Sequence, residues 1–267
     1  MATVRAVAHP AAAPRPARAA VGGPRLLESA ARLPAVTLAS AGAWVLIAIA
    51  QATGSAALLH HHALIEHGPA LWIAVPIFLL AWVVMIVAMM VPASMPAIAA
   101  YAGRIRTRPL IPFLAPYALA WLGFGVAVFF GDAVLHRLVH ATPWLGARPW
   151  VIDASVFAIA GIYQLTPFKR SSLDACRHPA ALVAVAGPGS RGGLRPGVAH
   201  AVACLAASWA LMLLMFAEGF SNPIPMLGLG VVMAYEATGR HGHLVRRLVG
   251  LGLTALAVGV LVSGVSV

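Results

Sequence analysis

Charge is what this sequence has least of. Of its 267 residues only 9% are Asp, Glu, Lys or Arg, and 61% are hydrophobic, whereas a soluble domain carries about 25% charge. A fold solvated by water could not cover its surface with so few ions. The composition therefore excludes an ordinary soluble enzyme or binding domain and points to a chain whose main solvent is lipid. Acids are scarcer still, 7 against 18 Lys and Arg, for a net charge of +11. In a soluble protein such a surplus would suggest a nucleic-acid partner. Here the basic residues fall between apolar runs, so orientation in a bilayer accounts for them and no nucleic acid is implied.

Cysteine is nearly missing. Cys176 and Cys204 are the only two, which excludes a disulfide framework. Both fall on or near the side expected to face the cytoplasm, where thiols stay reduced. Familiar catalytic signatures are absent too: no Walker loop, no dinucleotide glycine fingerprint, no H-E-x-x-H and no G-x-S-x-G. Gly187, Gly189, Gly192 and Gly193 form a turn with Pro188 rather than a phosphate cradle. No inverted repeat of the kind found in many transporters is evident. No nucleophile, base and orienting group can be assembled, so an enzyme is the least supported class.

What the sequence has is length in apolar runs. About 20 helical residues cross roughly 30 Å of hydrocarbon. Seven runs approach that length: Ala35–Thr53, Leu71–Pro92, Leu110–Phe130, Trp150–Thr166, Gly197–Phe220, Pro223–Ala237 and Leu244–Val265. The fourth and sixth are short. The expected fold is all-α, a polytopic transmembrane helical bundle spanning residues 35–267. The stretch 1–34, rich in Ala, Pro and Arg, is expected to be a disordered basic cytoplasmic tail, and it lacks the cleavage site of a signal peptide. Sixteen of the 18 Lys and Arg fall in the tail, in Gly103–Pro109, in Pro167–Pro196 and in Thr238–Arg247, leaving Arg137 and Arg148 opposite. Positive charge stays on the cytoplasmic side, so the pattern predicts seven spans with the N-terminus inside and the C-terminus outside. That placement is that of a multi-pass membrane protein with its basic loops in the cytoplasm.

Four groups of residues could carry chemistry. On the outer side, His60, His61, His62, Glu66 and His67 form one loop, and Asp132, His136 and His140 recur at i, i+4 and i+8, on one helical face. Asp153 begins the next span. Imidazole with carboxylate suits Zn, Cu, Ni or Fe, and the alternative is a set of polar side chains in the headgroup region. Met85, Met89, Met90, Met95, Met212, Met215, Met226 and Met233 offer thioethers that favour Cu(I) or simply fill the core. On the inner side Cys176 and His178 are followed by His200 and Cys204, one turn apart, and such donors suit Zn or Cu(I); two inert thiols are the alternative. Polar residues inside spans are costly and so are functional candidates. Glu218 has no local partner, Glu236 has Arg240 at i+4, and Tyr163, Gln164 and Thr166 close the fourth span.

Three blocks carry a family resemblance. They are Ala81-Trp-Val-Val-Met-Ile-Val-Ala-Met-Met-Val-Pro92 with Pro96, Tyr163-Gln-Leu-Thr-Pro-Phe-Lys-Arg170 running to Cys176-Arg177, and Cys204 through Trp209-Ala-Leu-Met212 to Asn222. Together they resemble the DUF2182 family, described as metal-binding integral membrane proteins of bacteria, over roughly residues 75–240. The resemblance implies cysteine ligands in two places. At the first, Ser172 stands where the family pattern has cysteine and Cys176 is kept. At the second, Cys204 is kept, while Ala207 and Ser208 replace two cysteines. The function this implies is binding or handling of a transition metal such as copper, with Cu or Zn as the ion. Two alternatives are a small-solute or proton transporter using Glu218, and a non-catalytic scaffold subunit with a membrane-complex partner.

Overall fold

The computed structural model describes residues 25–58, 61–66, 68–105, 110–184, 193–218 and 223–265. Among these there is no strand. The helices are α1 (Arg25–Arg32), α2 (Pro34–Ala52), α3 (Ser55–Leu58), α4 (His61–Glu66), α5 (Leu71–Ile105), α6 (Ile111–Ala141), α7 (Pro143–Gly146), α8 (Trp150–Leu165), α9 (Pro167–Arg177), α10 (Pro179–Ala184), α11 (Leu194–Glu218), α12 (Pro223–Thr238) and α13 (Gly242–Ser263). Proline opens α2, α7, α9, α10 and α12, because the first helical N–H has no acceptor to lose.

Five helices are long and apolar enough to cross a membrane: α2, α5, α6, α11 and α13. The runs expected as the fourth and sixth spans are the two that fall short. α8 reaches span length only together with α9, and that pair is bent by 65°. α12 has 16 residues, about 24 Å of helix. In contrast α5 has 35 residues and α6 has 31, about 52 and 46 Å.

α2, α6, α11 and α13 begin at the pole where α5, α8 and α12 end, so the helix ends collect at two poles. Leu33 before α2, Tyr101 near the end of α5 and Phe113 near the start of α6 share one small core. At the same pole Phe113 stacks on His200 of α11, and Gln164 of α8 meets Glu236 of α12. We call this the thiol pole. The opposite pole holds the far end of α6 with α4, and the end of α13 beside Trp150. The middle is a single core in which Phe78, Trp82, Trp121 and Phe129 interlock. The Trp82 indole donates to the Trp121 carbonyl at 2.9 Å.

Three expectations change. The segment Pro167–Pro196, expected as a loop, contains α9, α10 and the start of α11. Arg25–Arg32, expected within the disordered tail, is helix α1, in an interval free of proline between Pro24 and Pro34; residues 1–24 lie outside the described residues. Lys169, Arg177 and Arg246, counted as loop cations, are buried.

Candidate metal centre

The site is built on the elbow between α8 and α9. Thr166 caps α9 by accepting the Lys169 backbone N–H at 3.1 Å, with Pro167 in the first turn. The sharp turn sends α9 back across the bundle instead of onward. Every polar residue of Tyr163-Gln-Leu-Thr-Pro-Phe-Lys169 then has a partner. The Tyr163 hydroxyl donates to the Ala206 carbonyl of α11 at 2.5 Å, and its ring lies 4.8 Å from that of Trp209. The Gln164 amide donates to Glu236 Oε1 at 2.7 Å. The Lys169 ammonium donates to Glu236 Oε2 at 2.7 Å and to the Ala207 carbonyl.

Glu236 was expected to pair with Arg240 one turn away. It pairs with Lys169 instead, because Arg240 is exposed whereas Lys169 and Glu236 are each 1% exposed. A buried carboxylate needs a cation that is buried with it. Arg177 closes the end of α12 by donating to the carbonyls of Glu236 and Gly239 at 2.5 and 2.8 Å, and Arg246 donates to the Gln164 carbonyl.

The buried face of α9 therefore carries Lys169, Leu173 and Arg177 against α11 and α12, and Cys176 beside them. Across the α9–α11 contact Cys176 packs against the central core that contains Cys204. Both are free cysteines. Cys204 also lies 3.7 Å from the Tyr117 hydroxyl and 3.8 Å from Ser94 Oγ. The Tyr117 hydroxyl in turn donates to the Met90 carbonyl at 3.2 Å.

His200 stands one turn before Cys204. Its ring is stacked between those of Phe113 and Tyr117, with centroids 5.6 and 5.5 Å away. It is 2% exposed, and neither ring nitrogen has a hydrogen-bond partner. Such orphaned buried donors are rare and mark a place where something else supplies the bond. His178 goes elsewhere: it is exposed past the end of α9, with Nδ1 2.8 Å from the Asp174 carbonyl oxygen.

At the opposite pole α6 carries Asp132, His136 and His140 toward α4. His136 Nε2 and His140 Nε2 lie 3.8 and 3.5 Å from Glu66 Oε1. His136 Nδ1 lies 2.9 Å from the Asp132 carbonyl oxygen and 3.4 Å from its carboxylate. These residues and Asp153 line a cavity of about 730 Å³ between α6 and α8, floored by Trp209 and Leu213 of α11. His60 and His67 lie outside the described residues, as do the side chains of His61, His62 and Glu218 and all of Asn222. Among the described residues no three His, Cys, Asp or Glu side chains close around a common point as a metal cage.

The methionines named above are all buried. Seven of them, Met85, Met89, Met90, Met212, Met215, Met226 and Met233, belong to the central core, and Met95 is buried apart from it. Thioether sulfur thus lines the interior between the two poles.

The profile of a family of copper chaperones, PpoB2, matches residues 79–260, well over half of the chain. The chain belongs to this copper chaperone family. The PpoB2 match takes in Cys176, His178, His200 and Cys204, and Asp132, His136 and His140 as well. It begins after α4, so Glu66 lies outside the PpoB2 segment. No curated protein and no solved structure matches the chain.

Sequence reasoning passed over Lys169, Tyr117 and Ser94 as site residues. Lys169 was readable as a charge inside the Tyr163–Arg170 block. Nothing local marks Tyr117 and Ser94, which reach Cys204 from other helices.

Proposed function

We propose that this protein is a membrane copper chaperone that takes Cu(I) as cargo between Cys176 and Cys204. The observation that supports this is the packing of Cys176 against the core that holds Cys204, one turn from the buried His200, inside a chain of the copper chaperone family. Two thiolates do not satisfy Zn(II), whose structural sites take four ligands. Cu(I) is soft and accepts two or three sulfur and nitrogen donors. His200, buried with free ring nitrogens on the same helical face as Cys204, is the third donor available. Lys169, on the Cys176 face of α9, adds a fixed positive charge near the two thiolates that copper binding would create. The resemblance to the DUF2182 family is the finer family reading, carried by the elbow motif and the two retained cysteines.

The same proposal places the chain in a bacterial cytoplasmic membrane with seven crossings, α8–α9 being a broken span and α12 a short one. The thiol pole then faces the cytoplasm and the C-terminus lies outside. A reporter fused after Val267 should be active outside the cytoplasm, and a cytosolic reporter would overturn the orientation.

Copper binding is tested on detergent-purified protein under anaerobic conditions, by competition with a chromogenic Cu(I) chelator. The wild-type chain should hold one Cu(I), and Cys176→Ser with Cys204→Ser should lose it. His200→Phe, which keeps the aromatic stack, should weaken binding without abolishing it. Full Cu(I) occupancy in the double cysteine variant would sink the proposal.

A further inference from the structure

The outer wall of the elbow holds a pocket that the copper chemistry does not use. It lies at the thiol pole, between the α8–α9 turn and the first turns of α13, with a volume of about 310 Å³. Arg170, Arg246 and Arg247 line it together with Leu165, Thr166 and Leu251, and no acid does. We infer that this pocket binds the phosphate group of an anionic phospholipid, whose chains lie along the outside of α8 and α13.

Charge is out of balance there. Three guanidiniums border one small space, and like charges at close range repel unless an anion joins them. The carboxylates that could neutralise them are engaged elsewhere. Asp174, one turn on from Arg170, lies 2.8 Å from His243 Nε2. Glu236 holds Gln164 and Lys169 at 2.7 Å each. Among the described residues none of the three arginines pairs with a carboxylate.

Arg246 supplies a second, independent observation. It is 3% exposed. One of its amino groups donates to the Gln164 carbonyl, which anchors the guanidinium. Its Nε is buried and has no hydrogen-bond partner. A buried donor without an acceptor is costly. Nε belongs to the edge with which arginine grips phosphate in two parallel bonds. α9 also starts at this pocket, with Thr166 as its cap and Pro167 in its first turn, and the positive end of a helix favours an anion.

The apolar half of the ligand is read from the same wall. Leu165 and Leu251 are 40% and 57% exposed. Away from the pole Ile162 and Ile159 continue the α8 side in steps of three residues, and Val258 continues α13; all three are exposed. A free phosphate ion gains nothing from such a track. A phospholipid sets its phosphate at the basic mouth and its acyl chains on the apolar side chains beyond, as in other basic pockets between membrane helices. Gly250 holds the two helices together behind the pocket, since a Cβ there would meet Leu165 at 2.8 Å.

The test uses the full-length protein, stripped of lipid in detergent, and native mass spectrometry with phosphatidylglycerol, phosphatidylcholine or inorganic phosphate added. The wild-type chain should retain one phosphatidylglycerol about tenfold or more tighter than phosphatidylcholine, and inorganic phosphate should not displace it. Arg170→Gln with Arg247→Gln should weaken the binding about tenfold or more. Both side chains are exposed, so these replacements leave folding intact. Arg137→Gln with Arg148→Gln removes the same charge at the opposite pole and should leave binding unchanged. Cys176→Ser with Cys204→Ser should also leave it unchanged, which separates the pocket from the copper proposal. Selective phosphatidylglycerol binding that survives in the Arg170 and Arg247 double variant overturns the inference, as does equal retention of the two lipids. Displacement by inorganic phosphate overturns the lipid assignment, because it reveals a site for the free ion.

Discussion

The two poles of the bundle hold their polar groups in opposite ways. At the thiol pole Lys169, Glu236, Gln164, Arg177 and Arg246 are buried and joined by short hydrogen bonds to one another and to buried backbone carbonyls. At the other pole Glu66, His136 and His140 meet at longer range around an open cavity. The first arrangement fixes a geometry, and the second leaves room for a ligand. The comparison teaches that charge inside this bundle serves to position α9, and with it Cys176, whereas charge at the opposite mouth borders an open cavity.

The sharpest way to break the comparison is to remove a buried charge. Lys169→Met leaves the Glu236 carboxylate without its cation and should cost about 3–5 kcal/mol. Thermal unfolding in detergent should show it, and Lys169→Met with Glu236→Met should recover most of the loss. A single variant as stable as wild type would mean that the pair does not fix α9.

Glycines give the next contrast. A Cβ on Gly161 would meet Thr254 Oγ1 at 2.6 Å, and one on Gly250 would meet Gln164 and Leu165 at 2.8–2.9 Å. Gly161→Ala should therefore destabilise the α8–α13 seam by about 1–3 kcal/mol. Gly131, on the last turns of α6, has nothing within 4 Å of such a Cβ. Gly131→Ala should gain about 0.5–1 kcal/mol from helix propensity alone. Equal effects at the two positions would erase the distinction between a closed pole and an open one.

Smaller effects sharpen it further. Tyr163→Phe removes the hydroxyl bonded to the Ala206 carbonyl and should cost about 0.5–1.5 kcal/mol. His140→Ala, on the exposed side, should shift stability by no more than about 0.5 kcal/mol. Differential scanning of the purified variants measures both.

Much of the fold was legible because apolar run length and proline position are local properties. All seven long runs are helices within a few residues of their expected bounds, apart from the overhangs of α5 and α6. The elbow was not legible. Thr166-Pro167 reads as the end of a helix, and nothing in the sequence says that the following basic segment folds back under α11 and α12. For the same reason Lys169, Arg177 and Arg246 looked like loop charges: a buried cation is recognisable only once its acceptor is in place, and Glu236 lies 67 residues from Lys169. The i, i+4, i+8 spacing of Asp132, His136 and His140 put them on one face in advance. That Glu66 would be the residue to meet them depended on tertiary packing, as did the packing of Cys176 against the core that holds Cys204.

The length of α6 has a consequence of its own. At 31 residues, about 46 Å, it outruns a hydrocarbon layer of roughly 30 Å by about ten residues. A helix of that length has to tilt or to carry its surplus turns beyond the hydrocarbon.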